Sequence, residues 1–72
     1  MYRVEITANG TCRGTSYGTK EMAQRTYDEI RAMYRRAGYT LVDAGGVDIE
    51  SGLCELWIKE GYANRNIEIY AL

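Results

Sequence analysis

Histidine, proline and phenylalanine are absent from these 72 residues, and cysteine occurs only twice. Without histidine the chain lacks the commonest general base near neutral pH and the commonest protein metal ligand. Cys12 and Cys54 stand far apart with no CxxC partner, which argues against a zinc site and predicts two buried free thiols. No apolar run approaches the ~20 residues of a membrane span and no signal-peptide pattern opens the chain, so no membrane partner is expected. The expected location is cytoplasmic, in a bacterial host cell.

Catalytic patterns are equally thin. Ser16, Ser51, Cys12 and Cys54 have no histidine to activate them, and Lys20 and Lys59 fall in turn-like or edge-like contexts. The carboxylate pairs Asp48/Glu50 and Glu55/Glu60 read as solvated charge, with Asp48 and Glu50 on the polar face of a strand. Glycines at 10, 14 and 18 invite a phosphate-loop reading, but that motif requires GxxxxGK[ST]. The "GTK" at 18–20 has threonine where lysine is needed. The chain is expected not to be an enzyme and to need no cofactor or metal.

What is present describes an architecture. Residues 2–8, "YRVEITA", alternate Tyr2, Val4, Ile6 and Ala8 against Arg3, Glu5 and Thr7, the signature of a half-buried strand. Asn9-Gly10 is a strong hairpin signal, and "TCRGTSY" (11–17) returns as a second strand. From Thr19 to Ala37 the period becomes helical, with Met22, Ala23, Thr26, Tyr27, Ile30, Met33 and Tyr34 on one arc. Thr19 suits the N-cap, Glu21 the positive end, Arg35 and Arg36 the negative end, and Gly38 the stop.

Strands follow. Residues 39–50 read as a strand broken or bulged at Gly45-Gly46. "LCELWIKE" (53–60) places Cys54, Leu56 and Ile58 inward, and "RNIEIYAL" (65–72) places Ile67, Ile69 and Ala71 inward. The prediction is a single α+β domain over residues 1–72. It is a two-layer sandwich, an antiparallel sheet of about five strands with one helix across one face, in the order ββαβββ.

The surface points to binding. Residues 1–38 carry seven Lys/Arg against four Asp/Glu, leaving +3, while residues 39–72 carry two against six, leaving −4. Such asymmetry suggests directed electrostatics toward a partner. On the helix, Glu21 with Arg25, Arg25 with Glu29, and Asp28 with Arg31 stand at pairing distance, leaving Arg35 and Arg36 least compensated. Tyr17, Tyr62 and Tyr70, with Trp57, are expected opposite the core side, where aromatic rings anchor a partner, stack bases or form a homodimer. The expected partner contacts are Arg31, Arg35 and Arg36 as charges and Trp57, Tyr62 and Tyr70 as anchors.

Two resemblances bear on the partner. The run "NGTCRGTSYGTKEMAQRTYDEI" resembles the strand–turn–strand–helix of arm-type DNA-binding domains in tyrosine recombinases, over about a third of the chain. Such domains bind DNA through a basic sheet surface, which Arg3 and Arg13 would match here; Lys20 joins them in a nucleic-acid reading. Over its whole length the chain resembles small phage-encoded anti-CRISPR inhibitors, in size, in the order ββαβββ and in ending with "GLCELWIKEG" and a last short strand. That resemblance implies a phage or mobile-element protein that binds a protein partner stoichiometrically, an inhibitor of a host nucleoprotein defence complex.

Overall fold

Asn9 and Gly10 both take positive φ, 54° and 75°, and fold β1 (Tyr2–Ala8) back onto β2 (Thr11–Tyr17) with a two-residue turn. The computed structural model describes residues 1–72. Helix α1 (Lys20–Arg36) comes next, then β3 (Thr40–Gly45), β4 (Leu53–Ile58) and β5 (Arg65–Ala71). The five strands form one antiparallel sheet in the order β2-β1-β5-β4-β3, and the helix packs on one face. The expected α+β sandwich is the fold of the chain.

The helix begins where its cap predicts. Thr19 is extended, and its hydroxyl accepts the Met22 N–H at 3.2 Å. At the other end the Tyr39 N–H bonds the Tyr34 carbonyl at 2.9 Å, and Lys59 donates to the Ala37 carbonyl at 2.6 Å. Ala23, Tyr27 and Tyr34 form its buried stripe, while Met22 and Met33, expected on that stripe, stay about half exposed.

Strand β5 lies at the centre of the sheet, and its Ile67 and Ile69 are fully buried between Val4 and Ile6 of β1 and the side chains of β4. Each such side chain contributes roughly 1.5–3 kcal/mol by leaving water. Ile49, from the 46–52 turn, adds a buried plug, tied down by a bond from the Ala71 N–H to its carbonyl at 3.2 Å.

Two strand assignments are corrected. In β4 the side chains facing the helix are Leu53, Glu55 and Trp57, in register with Ile69, Ile67 and Arg65, and Cys54, Leu56 and Ile58 face outward. The helix lies chiefly over β1, β5 and β2, so the space above β4 is open to a large ring. Trp57 fills it and is 1% exposed. The strand after the helix ends at Gly45, with its irregularity at Val42. Residues 46–52 form a turn in which Asp48 accepts the Ser51 N–H at 2.9 Å and its hydroxyl at 2.6 Å. Asp48 and Glu50 therefore belong to a turn, not to a strand face.

Candidate functional site

The antiparallel register gathers three connections at one end of the molecule: the Asn9-Gly10 turn, the 37–39 link and the 59–64 loop. Five cations surround them. Arg35 and Arg36 close the helix, Lys59 follows β4, Arg65 opens β5, and Arg13 lies two residues into β2. No carboxylate comes within ion-pair distance of any of the five, and Glu60 is the one acid on those connections. The exposed pairs that do form, such as Lys20 with Glu50 at 3.0 Å, stand elsewhere.

Aromatic rings hold three of these cations, Arg35, Lys59 and Arg65, in place. The Arg35 guanidinium lies 5.4 Å from the Trp57 ring, and Lys59 Nζ lies 4.5 Å from the Tyr62 ring and 5.9 Å from Tyr39. Arg65 covers Tyr39 at 5.8 Å, and its Nε donates to the Tyr39 hydroxyl at 3.3 Å. That hydrogen bond raises the Arg65 pKa above its already high value. Tyr34, Tyr39 and Tyr62 continue the cluster outward with ring centroids 5.5 and 6.4 Å apart. Tyr62, at its rim, is 60% exposed. A hollow of about 320 Å³ opens between Arg13 and Arg65, floored by Ile6 and Ala8 and edged by Asn9 and Thr11.

The open face of the sheet has a different character. Glu5 accepts the Tyr70 hydroxyl through one carboxylate oxygen and the Cys12 thiol, at 3.1 Å, through the other. The Tyr70 bond, then the Cys12 bond, hold the Glu5 pKa below the usual carboxylate value, and the same contact raises that of Tyr70. Arg3 stands 3.8 Å from Glu5 and its side chain crosses Gly14. Across the sheet, Leu56 and Ile58 form the apolar part of this face.

Of the expected partner contacts, Arg35, Arg36 and Tyr62 meet at the cationic end. Trp57 does not serve as a surface anchor, because its ring is in the core. Arg31 is not a free charge: its Nε bonds Glu55 at 2.8 Å, it lies 3.7 Å from Asp28, and it covers Tyr27 at 5.9 Å. Tyr70 reaches the open face, but its hydroxyl is committed to Glu5. Tyr17 pairs with Tyr2 and packs against the core from the helix side, opposite to expectation. Among the residues of the nucleic-acid reading, Arg3 and Lys20 are paired with Glu5 and Glu50, and Arg13 joins the cationic end. Both cysteines are exposed rather than buried.

Lys59 and Arg65 were missed. Arg65 alternates in phase with Ile67 and Ile69, so its place on the helix side was present in the pattern. The two chain halves contribute jointly to this end, so the charge asymmetry of the sequence becomes an asymmetry of ends rather than of halves. No family model, no curated protein and no solved structure matches the chain.

Proposed function

We propose that the protein acts by stoichiometric binding rather than catalysis, docking its cationic end on an anionic partner. The observation that carries this reading is the convergence of Arg13, Arg35, Arg36, Lys59 and Arg65 without a carboxylate partner. Like charges held together raise the energy of the free protein, and an anionic partner relieves that repulsion while steering encounter. Tyr62 supplies an aromatic anchor at the rim, of the kind that dominates binding energy in small interfaces.

The likeness in size and element order to phage-encoded anti-CRISPR inhibitors supports one class of partner, a host nucleoprotein defence complex. Such assemblies expose both acidic protein and nucleic acid, and either would meet this surface. A nucleic-acid module built on Arg3, Arg13 and Lys20 has less support. Arg3 and Lys20 are neutralised locally, and the three do not share a face.

The test is a tagged pull-down from bacterial lysates that carry defence systems, with and without nuclease, using the wild type and Arg36→Glu. A stoichiometric complex that is lost with Arg36→Glu is the expected result, and the nuclease arm tells whether the anion it meets is protein or nucleic acid. Equal recovery by the two proteins would remove the cationic end from the function.

A further inference from the structure

We infer that the cationic end grips the phosphate backbone of a single-stranded nucleic acid, with Tyr62 stacking on an unpaired base. This rests on the docking reading above and narrows the anion to a phosphodiester.

Four of the five cations at this end are arginines, whose planar forks match phosphate oxygens in two places at once. Arg13 and Arg65 face each other across the hollow of about 320 Å³, and Asn9 and Thr11 add uncharged polar groups at its edge. A phosphate seated there meets charge from two sides. Arg35, Arg36 and Lys59 continue the cationic path beyond Arg65 toward Tyr62.

The helix end would ordinarily oppose an anion, because its last carbonyls carry a partial negative charge. Here Lys59 donates to the Ala37 carbonyl, and Arg35 and Arg36 sit in the last turn. The opposition is offset by the same residues that line the path.

Tyr62 decides between a strand and a duplex. Its ring stands at the rim, 60% exposed, and is braced by Lys59 and Tyr39 from behind. A braced exposed ring offers a stacking surface to any base, but only an unpaired base can reach it. The exposed face of the helix offers no basic stripe to a major groove, because its Lys20 and Arg25 alternate with Glu21, Asp28 and Glu29. An acidic protein surface would satisfy the arginines and use Tyr62 only as an interface anchor, so competition by polyglutamate separates it from a stacked base.

The experiment is fluorescence anisotropy of a labelled 20-nucleotide oligothymidylate, with a hairpin duplex and polyglutamate as competitors, between 50 and 200 mM salt. Single-strand sites lose affinity with a log–log salt slope of about −0.7 per phosphate, so five contacts weaken binding about 100-fold over that range. Arg13→Gln with Arg65→Gln should flatten the slope by about 1.4. Arg65→Lys should retain it. Tyr62→Ala should weaken binding about 5- to 100-fold with the slope unchanged. Circular dichroism of each variant checks the fold, and Tyr62→Ala keeps the test alive if the double variant does not fold.

No binding at 50 mM salt overturns the inference, as does tighter binding of the duplex or equal competition by polyglutamate. A complex that survives nuclease in the lysate experiment, with no oligonucleotide binding, would overturn only this inference and leave the docking function standing.

Discussion

Arg31 Nε and Trp57 Nε1 donate to the same oxygen of Glu55, at 2.8 and 3.1 Å. Glu55 is only 9% exposed, on the helix side of β4, so these two donors are what makes a buried carboxylate tolerable there. They tie the middle of the helix to a strand that the helix itself hardly covers.

Removing one partner strands the other. Arg31→Ala should destabilise the fold by about 2–3 kcal/mol, below the full cost of breaking a buried pair because the Arg31 side chain is 28% exposed. Glu55→Gln should cost about 1 kcal/mol, since the amide oxygen still accepts from Trp57. Urea titrations followed by Trp57 fluorescence separate the two. Equal costs would mean that the charge of Glu55 matters more than its hydrogen bonds.

Tyr27 presents the opposite situation. Its ring is 2% exposed and its hydroxyl is buried without a hydrogen-bond partner. Tyr27→Phe should therefore be neutral or stabilising by up to about 1 kcal/mol. Burial also raises the Tyr27 pKa well above its usual value near 10. The folded state holds the proton more tightly than the unfolded state, so this contribution is whole below about pH 10 and is lost as pH rises toward the raised value. Tyr34, raised by burial, and Tyr70, raised by its bond to Glu5, add to the same alkaline limb. A stability profile from pH 8 to 12 should fall less steeply for Tyr27→Phe than for wild type.

The element types were legible in the sequence, because the Asn9-Gly10 turn, the Thr19 cap and the Ile67/Ile69 alternation are local signals. The phase of β4 was not. In "LCELWI" both alternations carry large apolar residues, Cys54, Leu56 and Ile58 on one and Leu53 and Trp57 on the other. Which set goes inward depends on where the helix lies, and a glutamate on the Trp57 side argued locally for solvent. Only the contact with Arg31, 24 residues away, reverses that argument. The lack of ion-pair partners at Arg35 and Arg36 was legible from helix spacing, and the exposed place of Tyr62 from its turn. Lys59 and Arg65 join them only through the sheet register.

The thiols test the corrected face of β4. Cys12 on β2 and Cys54 on β4 both point to the open face, with β1 and β5 between them. Three strand spacings and a two-residue offset along β4 place them roughly 16 Å apart, beyond the reach of a disulfide. Both should react with a thiol reagent in the native protein, giving two equivalents per chain without denaturant. One or none would contradict their placement.

Gly46 should be the least replaceable glycine. Its φ is +98°, and a Cβ there would collide with the Gly52 carbonyl and approach Leu53 Cα to 3.1 Å. Backbone cannot swing aside as a side chain does. Gly46→Ala should cost at least about 2 kcal/mol, from positive-φ strain and steric overlap together. In a chain of this size that lowers the melting temperature by roughly 8–16 °C. Gly18→Ala, at a site with nothing within 4 Å and no positive φ, should leave the melting temperature unchanged or slightly higher.

Arg35 and Arg36 are neighbours in sequence with different duties, and this permits stability and binding to be read apart. The Arg35 guanidinium covers the Trp57 ring, so Arg35→Glu removes a cation–π contact and places a negative charge at the negative end of the helix. It should cost about 1–2 kcal/mol and change the Trp57 emission. Arg36 lies in the same exposed turn without a ring beneath it, so Arg36→Glu should cost less than about 1 kcal/mol and leave the emission as it is. Both reversals should weaken binding of the captured partner by more than about tenfold, since each turns a favourable charge into a repulsive one at the docking surface. If Arg36→Glu bound as wild type while Arg35→Glu did not, the loss would belong to the disturbed Trp57 packing, and the helix end would have no part in recognition.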